Sequence, residues 1–213
     1  MKMIIVRHGE AQWNLQDRAM GQLDSPLTPN GIRQAYALGD RLRRLSFTTL
    51  YTSDLGRAAQ TVNIIASICD KKVIFNSGLR ERNFGIFQGL TLSEMQEKFP
   101  QERQDFEQND FEYIIPEGES LKQLRQRSFQ ILTAIAQQYL GETIVVITHG
   151  GILMCFFEEV LGIIHKKPLP FKQDNANFCV FEYIDGRWML MVWNDISHLE
   201  NVNSLNNKKI NFF

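Results

Sequence analysis

Thr143-Ile144-Val145-Val146-Ile147-Thr148 places six β-formers in a row, followed by His149-Gly150-Gly151 and a largely apolar stretch to Leu161. An uninterrupted run of this kind, bounded by Gly, reads as a strand buried on both faces. The stretch behind it reads as a helix over Gly150–Leu161. Outward from there the pattern repeats. Met3–Val6 is a short apolar run between charge and Gly, and reads as a second buried strand. Thr28-Pro29 opens a helix, with Thr as N-cap and Pro at the first helical position. Ile32, Ala35, Leu38, Leu42 and Leu45 are its expected apolar stripe. Thr48–Thr52 is β-rich. Ser53 is expected to cap the next helix, with Leu55, Ala58, Ala59, Val62, Ile65, Ala66 and Cys69 inward. Lys72–Phe75 reads as a short strand. Ser120 and Gln123 form an S-x-x-Q capping box. The helix it opens runs to about Leu140, with Leu121, Leu124, Ser128, Ile131, Ile135 and Tyr139 on one face. Phe178–Ile184 and Trp188–Trp193 flank Asp185-Gly186, a hairpin signal. Strands alternating with helices predict an α/β three-layer sandwich, with a mostly parallel central sheet and helices on both faces.

The chain has 213 residues, 44% apolar and 22% charged, enough for one domain with a real core over residues 1–200. A formal net charge of -1 argues against nucleic-acid or membrane-surface partners, which call for a basic excess. The longest purely apolar run, Ile152–Phe157, is far short of the about 20 residues a spanning helix needs. Only Met3–Val6 precede Arg7 as an apolar run, too short for a secretory core. Cys69, Cys155 and Cys179 are odd in number and form no C-x-x-C, which reads as reduced thiols in a cytoplasmic protein. Residues 86–120 carry nine acids against two bases, net -7. They read as a helical insertion over the strand C-terminal ends rather than a second core, with most charges solvated. His165-Lys166-Lys167 reads as a basic cluster in a solvated, Pro-flanked loop. The Asn-rich tail 201–213 is expected to fray. Nothing in the sequence sets an oligomeric state.

Of the four histidines, His8 and His149 each stand just past an expected strand and before Gly. Ligands of open α/β sheets bind at the carboxyl ends of strands, so two strands deliver imidazoles to one crevice. His165 and His198 read as satisfied core or surface residues. Arg7 precedes His8. Arg57 lies in the first turn of the helix after Ser53, and His149 precedes the helix that begins near Gly150. Helix N-termini and guanidinium groups together form an anion pocket, with phosphate as its natural guest. Arg33, Arg43 and Arg125 read as surface ion-pair partners. No P-loop and no G-x-G-x-x-G occur. There is no Cys-x5-Arg loop, no D-x-D after a strand and no histidine spacing suited to a metal. Histidine remains as the nucleophile, with no metal and no cofactor.

Val6–Asn14 (VRHGEAQWN) resembles the signature of the histidine phosphatase superfamily, the phosphoglycerate-mutase-like family. Further blocks resemble it in order: Gly21–Ala35, Tyr51–Val62, Leu79–Gly89, Pro116–Ser120, Val146–Gly151 and Trp193–Leu199. The resemblance covers about residues 1–199. It implies that His8 attacks phosphorus, with its other ring nitrogen held by a backbone carbonyl. It implies that Arg7, Arg57 and His149 stabilise the phosphoryl charge, and that Asn14, Gln22 and Gly150 contact the phosphoryl group. Glu81 would be the general acid and base, which requires partial burial. The implied partner is a small-molecule phosphomonoester. The mutases compared have His-Tyr where this chain has Asn83-Phe84, and the acidic insertion holds no paired arginines. Both favour a phosphatase over a mutase working through a bisphosphate. A silent phosphate-binding module is the third reading. Phe84, Phe87, Phe99, Phe106, Phe111 and Tyr113 either select the substrate or pack the insertion.

Overall fold

Alternating side chains of two central strands organise the interior. The computed structural model describes residues 1–165 and 171–202. Its elements are β1 (Lys2–Arg7), α1 (Gln12–Leu15), α2 (Pro29–Leu42), β2 (Thr49–Thr52), α3 (Gly56–Cys69), β3 (Val73–Phe75), α4 (Leu92–Lys98), α5 (Pro100–Gln108), α6 (Leu121–Gln138), β4 (Thr143–Thr148), α7 (Gly150–Leu161), β5 (Phe178–Ile184) and β6 (Arg187–Asp195). The sheet order is β3-β2-β4-β1-β5-β6. The first four strands in that order run parallel, and β5 runs antiparallel to both its neighbours, β1 and β6.

On one face Met3, Ile5, Ile144 and Val146 meet Leu124, Leu132, Ile135, Ile152 and Phe156 of α6 and α7. On the other, Ile4, Val6, Val145 and Ile147 meet Leu38, Leu42, Ala58, Val62 and Ile65 of α2 and α3. Strand period two sends successive residues to opposite layers. Each aliphatic side chain so buried contributes about 1.5–3 kcal/mol. The expected three-layer sandwich is the observed fold.

Local chemistry sets most helix ends. Thr28 Oγ1 accepts from Gly31 N at 2.9 Å, with Pro29 at the first position. Ser120 and Gln123 form the expected reciprocal box. Ser53 does not cap α3; that position belongs to Leu55, and Ser53 stands further back at the strand end. The stripe of α2 also differs: Ile32 and Leu45 are 40% and 41% exposed. Gly31, Gln34, Ala35, Leu38, Gly39 and Leu42 are buried instead. Two glycines let α2 approach its neighbours, because a Cβ on Gly31 would strike Glu10 O and one on Gly39 would strike Ile68 Cδ1. The buried Gln34 uses its Oε1 to accept from Glu10 N at 2.8 Å. In α6, Leu132 and Ala136 lie deeper than the expected Ile131 and Tyr139.

The insertion corrects a further expectation. Its Phe87, Met95, Phe106 and Ile115 form a small apolar cluster with Ala19 of the loop after α1. Phe87 and Phe106 stack edge-on at 5.7 Å between ring centroids, so these two rings are interior packing and not a substrate-facing lining. Among the described residues, five of its nine acids pair with a base: Glu94 with Arg18, Glu107 with Arg103, Asp110 with Arg82, Glu112 with Lys122 and Glu119 with Arg127. The insertion joins the strand ends through Gln88 Oε1, which accepts from Gln22 N at 2.6 Å. His165 is bonded through Nδ1 to Glu158 at 2.9 Å, whereas Lys166 and Lys167 lie outside the described residues. Of the expected frayed tail, Asn201 and Val202 are described, Val202 N bonding Leu199 O, and the rest lies outside the described residues. No helix among the described residues is long and apolar enough to cross a membrane.

Candidate functional site

β1, β2 and β4 run parallel, so their carboxyl ends share one edge of the sheet. Arg7 and His8 leave β1, Ser53 leaves β2 and His149 leaves β4 along this edge. His8 N extends the ladder to Thr148 O at 2.9 Å. The His8 ring is almost wholly buried, and its Nδ1 lies 2.7 Å from Gly9 O. A carbonyl only accepts, so Nδ1 carries the hydrogen and Nε2 keeps its lone pair. Arg57 Nε donates to that Nε2 at 3.2 Å. Burial, then Arg57 and Arg7, hold the imidazole well below the ordinary histidine range, so the ring is neutral at pH 7.

Arg57 is wholly buried and spends its other donors on backbone: Nη1 on Leu23 O at 2.8 Å and Nη2 on Gly21 O at 2.7 Å. Gly21 has φ +54, and a Cβ there would strike Gln88 Oε1. The guanidinium therefore pins the Gly21–Leu23 segment beside His8. Arg7 donates from Nη1 to Gln173 O at 2.9 Å. Burial lowers both arginines to about 10, against the pull of the Glu81 carboxylate, so both remain charged at neutral pH.

His149 lies 5.2 Å from His8 between ring centroids. Its Nε2 is 2.8 Å from Ser53 Oγ, and its buried Nδ1 has no partner among the described residues. Burial, with Arg57 next, pushes its imidazole well below the ordinary range too. Glu81 is half-buried; its Oε1 accepts from Arg82 N at 2.8 Å and its Oε2 from Gly151 N at 3.0 Å. A Cβ on Gly151 would collide with that carboxylate, which is why a second glycine follows His149. Asn14 Oδ1 takes hydrogen bonds from Ala11 N at 2.9 Å and Asn175 Nδ2 at 3.5 Å, and the same Asn175 amide donates to His8 O at 3.0 Å. Gln22 Nε2 donates to Glu81 O at 3.2 Å. Gly150 is buried as the first residue of α7.

Of the residues expected at the site, Arg7, His8 and His149 stand at the strand ends, Arg57 and Gly150 in the first turns of α3 and α7, Asn14 in α1, and Gln22 and Glu81 on connecting loops. The helix termini act differently from expectation. Gly56 N, at the start of α3, already donates to Asp24 Oδ1 at 2.6 Å, and Leu55 N donates to Ser53 Oγ. In α7 the Gly151 N–H serves Glu81. At these three positions the helix starts hold Asp24, Ser53 and Glu81 rather than a ligand. Sequence reasoning also passed over Thr61, Arg127, Asn175 and Asn177. Thr61 Oγ1 accepts from Gly9 N and donates to Arg57 O, tying the nucleophile loop to α3. Asn177 Oδ1 accepts from Arg7 N. The Asn-rich run Asp174-Asn175-Ala176-Asn177 was the available signal for two of them. Arg43 and Arg125 form the expected ion pairs, with Asp40 and Glu159, whereas Arg33 donates to the neutral Asn30. No three His, Cys, Asp or Glu side chains among the described residues converge as metal ligands.

Residues 3–196 match the family described as histidine phosphatase superfamily (branch 1). Phosphoglycerate mutase-like protein 4 of Arabidopsis thaliana is 37% identical over 203 residues, 93% of this chain and 87% of that protein. A metal-independent phosphoserine phosphatase of Arabidopsis thaliana is 38% identical over 208 residues, 96% of this chain and 85% of that protein. Among solved structures, YhfR of Bacillus stearothermophilus superposes with a TM-score of 0.86 at 29% identity, covering 93% of this chain and 99% of that one.

Proposed function

This chain belongs to the histidine phosphatase superfamily, and we propose from that premise that it hydrolyses small-molecule phosphomonoesters through a phosphohistidine on His8. One observation carries the reading: Nδ1–H is held by Gly9 O, which leaves Nε2 as a buried lone pair beside Arg57. In the first step Nε2 forms a bond to phosphorus as the ester P–O bond breaks. Protonated Glu81 gives its hydrogen to the leaving alkoxide oxygen. The Gly9 carbonyl steadies the positive charge that the ring acquires. Arg7, Arg57 and His149 meet the charge on the equatorial oxygens, assisted by Asn14, Gln22 and the Gly150 backbone. In the second step the Glu81 carboxylate takes a proton from water, whose oxygen attacks phosphorus and releases phosphate from His8. The arginines supply the positive charge the reaction needs, so no metal or cofactor has a part in it. A relative carrying the name metal-independent phosphoserine phosphatase supports this and places phosphoserine on the test panel. The three cysteines are unpaired, in keeping with a cytoplasmic setting.

Mutase turnover is the second reading, favoured by the name of one Arabidopsis relative. A bisphosphate needs further cations at the pocket. Arg80 and Arg82, which flank Glu81, are held by Asp54 and Asp110, and Arg127 by Glu119. This supports hydrolysis. Phosphate release from phosphoserine, 3-phosphoglycerate, other phosphomonoesters and an aryl phosphate, measured in EDTA, tests the proposal. Release should be EDTA-resistant and fall about 10³-fold or more in His8→Ala. Mutase turnover that requires added bisphosphoglycerate and exceeds hydrolysis would overturn it.

A further inference from the structure

The unpartnered Nδ1 of His149 raises the question of which ring nitrogen carries the hydrogen. A neutral imidazole has one N–H. Were it on Nε2, the ring would present a lone pair at Nδ1 to the phosphoryl oxygens and repel them. Ser53 decides between the two. It is wholly buried at the end of β2, with its own N–H on Ile147 O at 3.1 Å. Its Oγ accepts from Leu55 N at 3.3 Å, so the hydroxyl hydrogen is left for the other neighbour, His149 Nε2 at 2.8 Å. A hydroxyl that accepted from both would leave its own hydrogen buried without a partner, at a cost of about 1–3 kcal/mol.

We propose that Ser53 is a positioning residue, which donates its hydroxyl hydrogen to His149 Nε2 and so places the ring hydrogen on Nδ1, as a donor to the transferring phosphoryl group. Ser53 touches no substrate; it acts through His149. The reason for a small hydroxyl at this position is then chemical as well as steric. Alanine would free the ring to adopt either tautomer and either flip. Threonine keeps the hydroxyl.

The inference rests on the phosphatase reading for its rate measurements but not for its spectroscopy. Two-bond proton–nitrogen correlation spectra of the histidine rings, with His149 assigned by its loss in His149→Gln, report the tautomer directly. Wild type should show the Nδ1–H pattern. Ser53→Ala should mix the tautomers. It should lower kcat on an aryl phosphate about 10- to 100-fold with little change in KM, and weaken orthovanadate inhibition by a similar factor. Ser53→Thr should restore all three. In a His149→Gln background Ser53→Ala should cost less than twofold more. An Nε2–H pattern in wild type overturns the proposal, and this measurement needs no variant of Ser53 to fold. Folded Ser53→Ala with wild-type kcat, or an equal loss in the His149→Gln background, overturns it as well. If wild type hydrolyses no ester, the phosphatase reading fails, while the tautomer spectra of wild type and Ser53→Ala still decide the role of Ser53.

Discussion

Arg57 shows how much one side chain can settle. Its three nitrogens serve His8 Nε2 and the carbonyls of Leu23 and Gly21 in one plane. A lysine ammonium carries the charge but cannot span those three acceptors. Arg57→Lys should lose about 10²- to 10³-fold in kcat/KM on an aryl phosphate, in steady-state assays. The His8 imidazole is pushed down by burial first and by Arg57 second. The acid limb of kcat/KM should therefore fall below the ordinary histidine value of about 6.5. It is measured by a profile from acid to neutral pH, with the ester's own ionisation divided out; a midpoint at or above that value contradicts the assignment. The same groups link to stability. A histidine whose folded pKa is lowered makes the unfolded chain bind protons first, so stability is full above the unfolded value and declines as pH falls. His198, lowered from 6.5 to about 4 by burial and then Arg41, places its share of that loss between those two values. Urea midpoints should drop across this window, and less so in His198→Asn.

At the scale of elements, the acid loop is clamped between two helices. Arg127 of α6 donates to Gly78 O and Arg80 O at 2.8 Å each, and to Glu81 O at 3.3 Å. Gly151 of α7 admits the carboxylate from the other side. Gly151→Ala should lower kcat about 10- to 100-fold while KM changes less. Its melting temperature should not fall in proportion, because Ala is favoured over Gly inside a helix by about 1 kcal/mol. Thermal melts beside kinetics on one preparation test this; equal damage to both contradicts it. The stripe of α2 holds at Ala35, Leu38 and Leu42 and fails at Ile32, where Gly31 faces inward instead, and at Leu45, beyond the end of the helix. Close approach of helix to strand loop rewards the residue without a side chain.

Across the whole molecule, the insertion is held to the acid loop by a buried ion pair, Arg82 Nη1 to Asp110 Oδ1 at 2.6 Å. The Arg82 guanidinium also lies 5.3 Å from the rings of Phe84 and of Phe106. Asp110→Ala would strip a buried cation of a carboxylate and should cost about 3–5 kcal/mol by urea denaturation. Arg82 N is also a donor to Glu81, so the variant should lose activity before it unfolds. An unchanged denaturation midpoint would show that the insertion is held by its apolar cluster alone.

Much of this protein was legible from the chain. Strand period two and helix period three to four are local properties, so Thr143–Thr148, Met3–Val6 and the capped helices could be read without coordinates. Strand ends gather at one sheet edge in any parallel α/β fold, so Arg7, His8 and His149 were legible as a cluster. The resemblance of the ordered blocks added Glu81, Asn14 and Gln22. Tertiary structure alone decided the rest. Ser53 reaches His149 across 96 positions, Arg7 reaches Gln173 across 166, and Asn175 reaches His8 across 167. Which ring nitrogen is free, which helix N–H is already taken and which glycine admits a carboxylate depend on such distant pairs. Desolvation gives those pairs their strength, and only the folded chain removes the water.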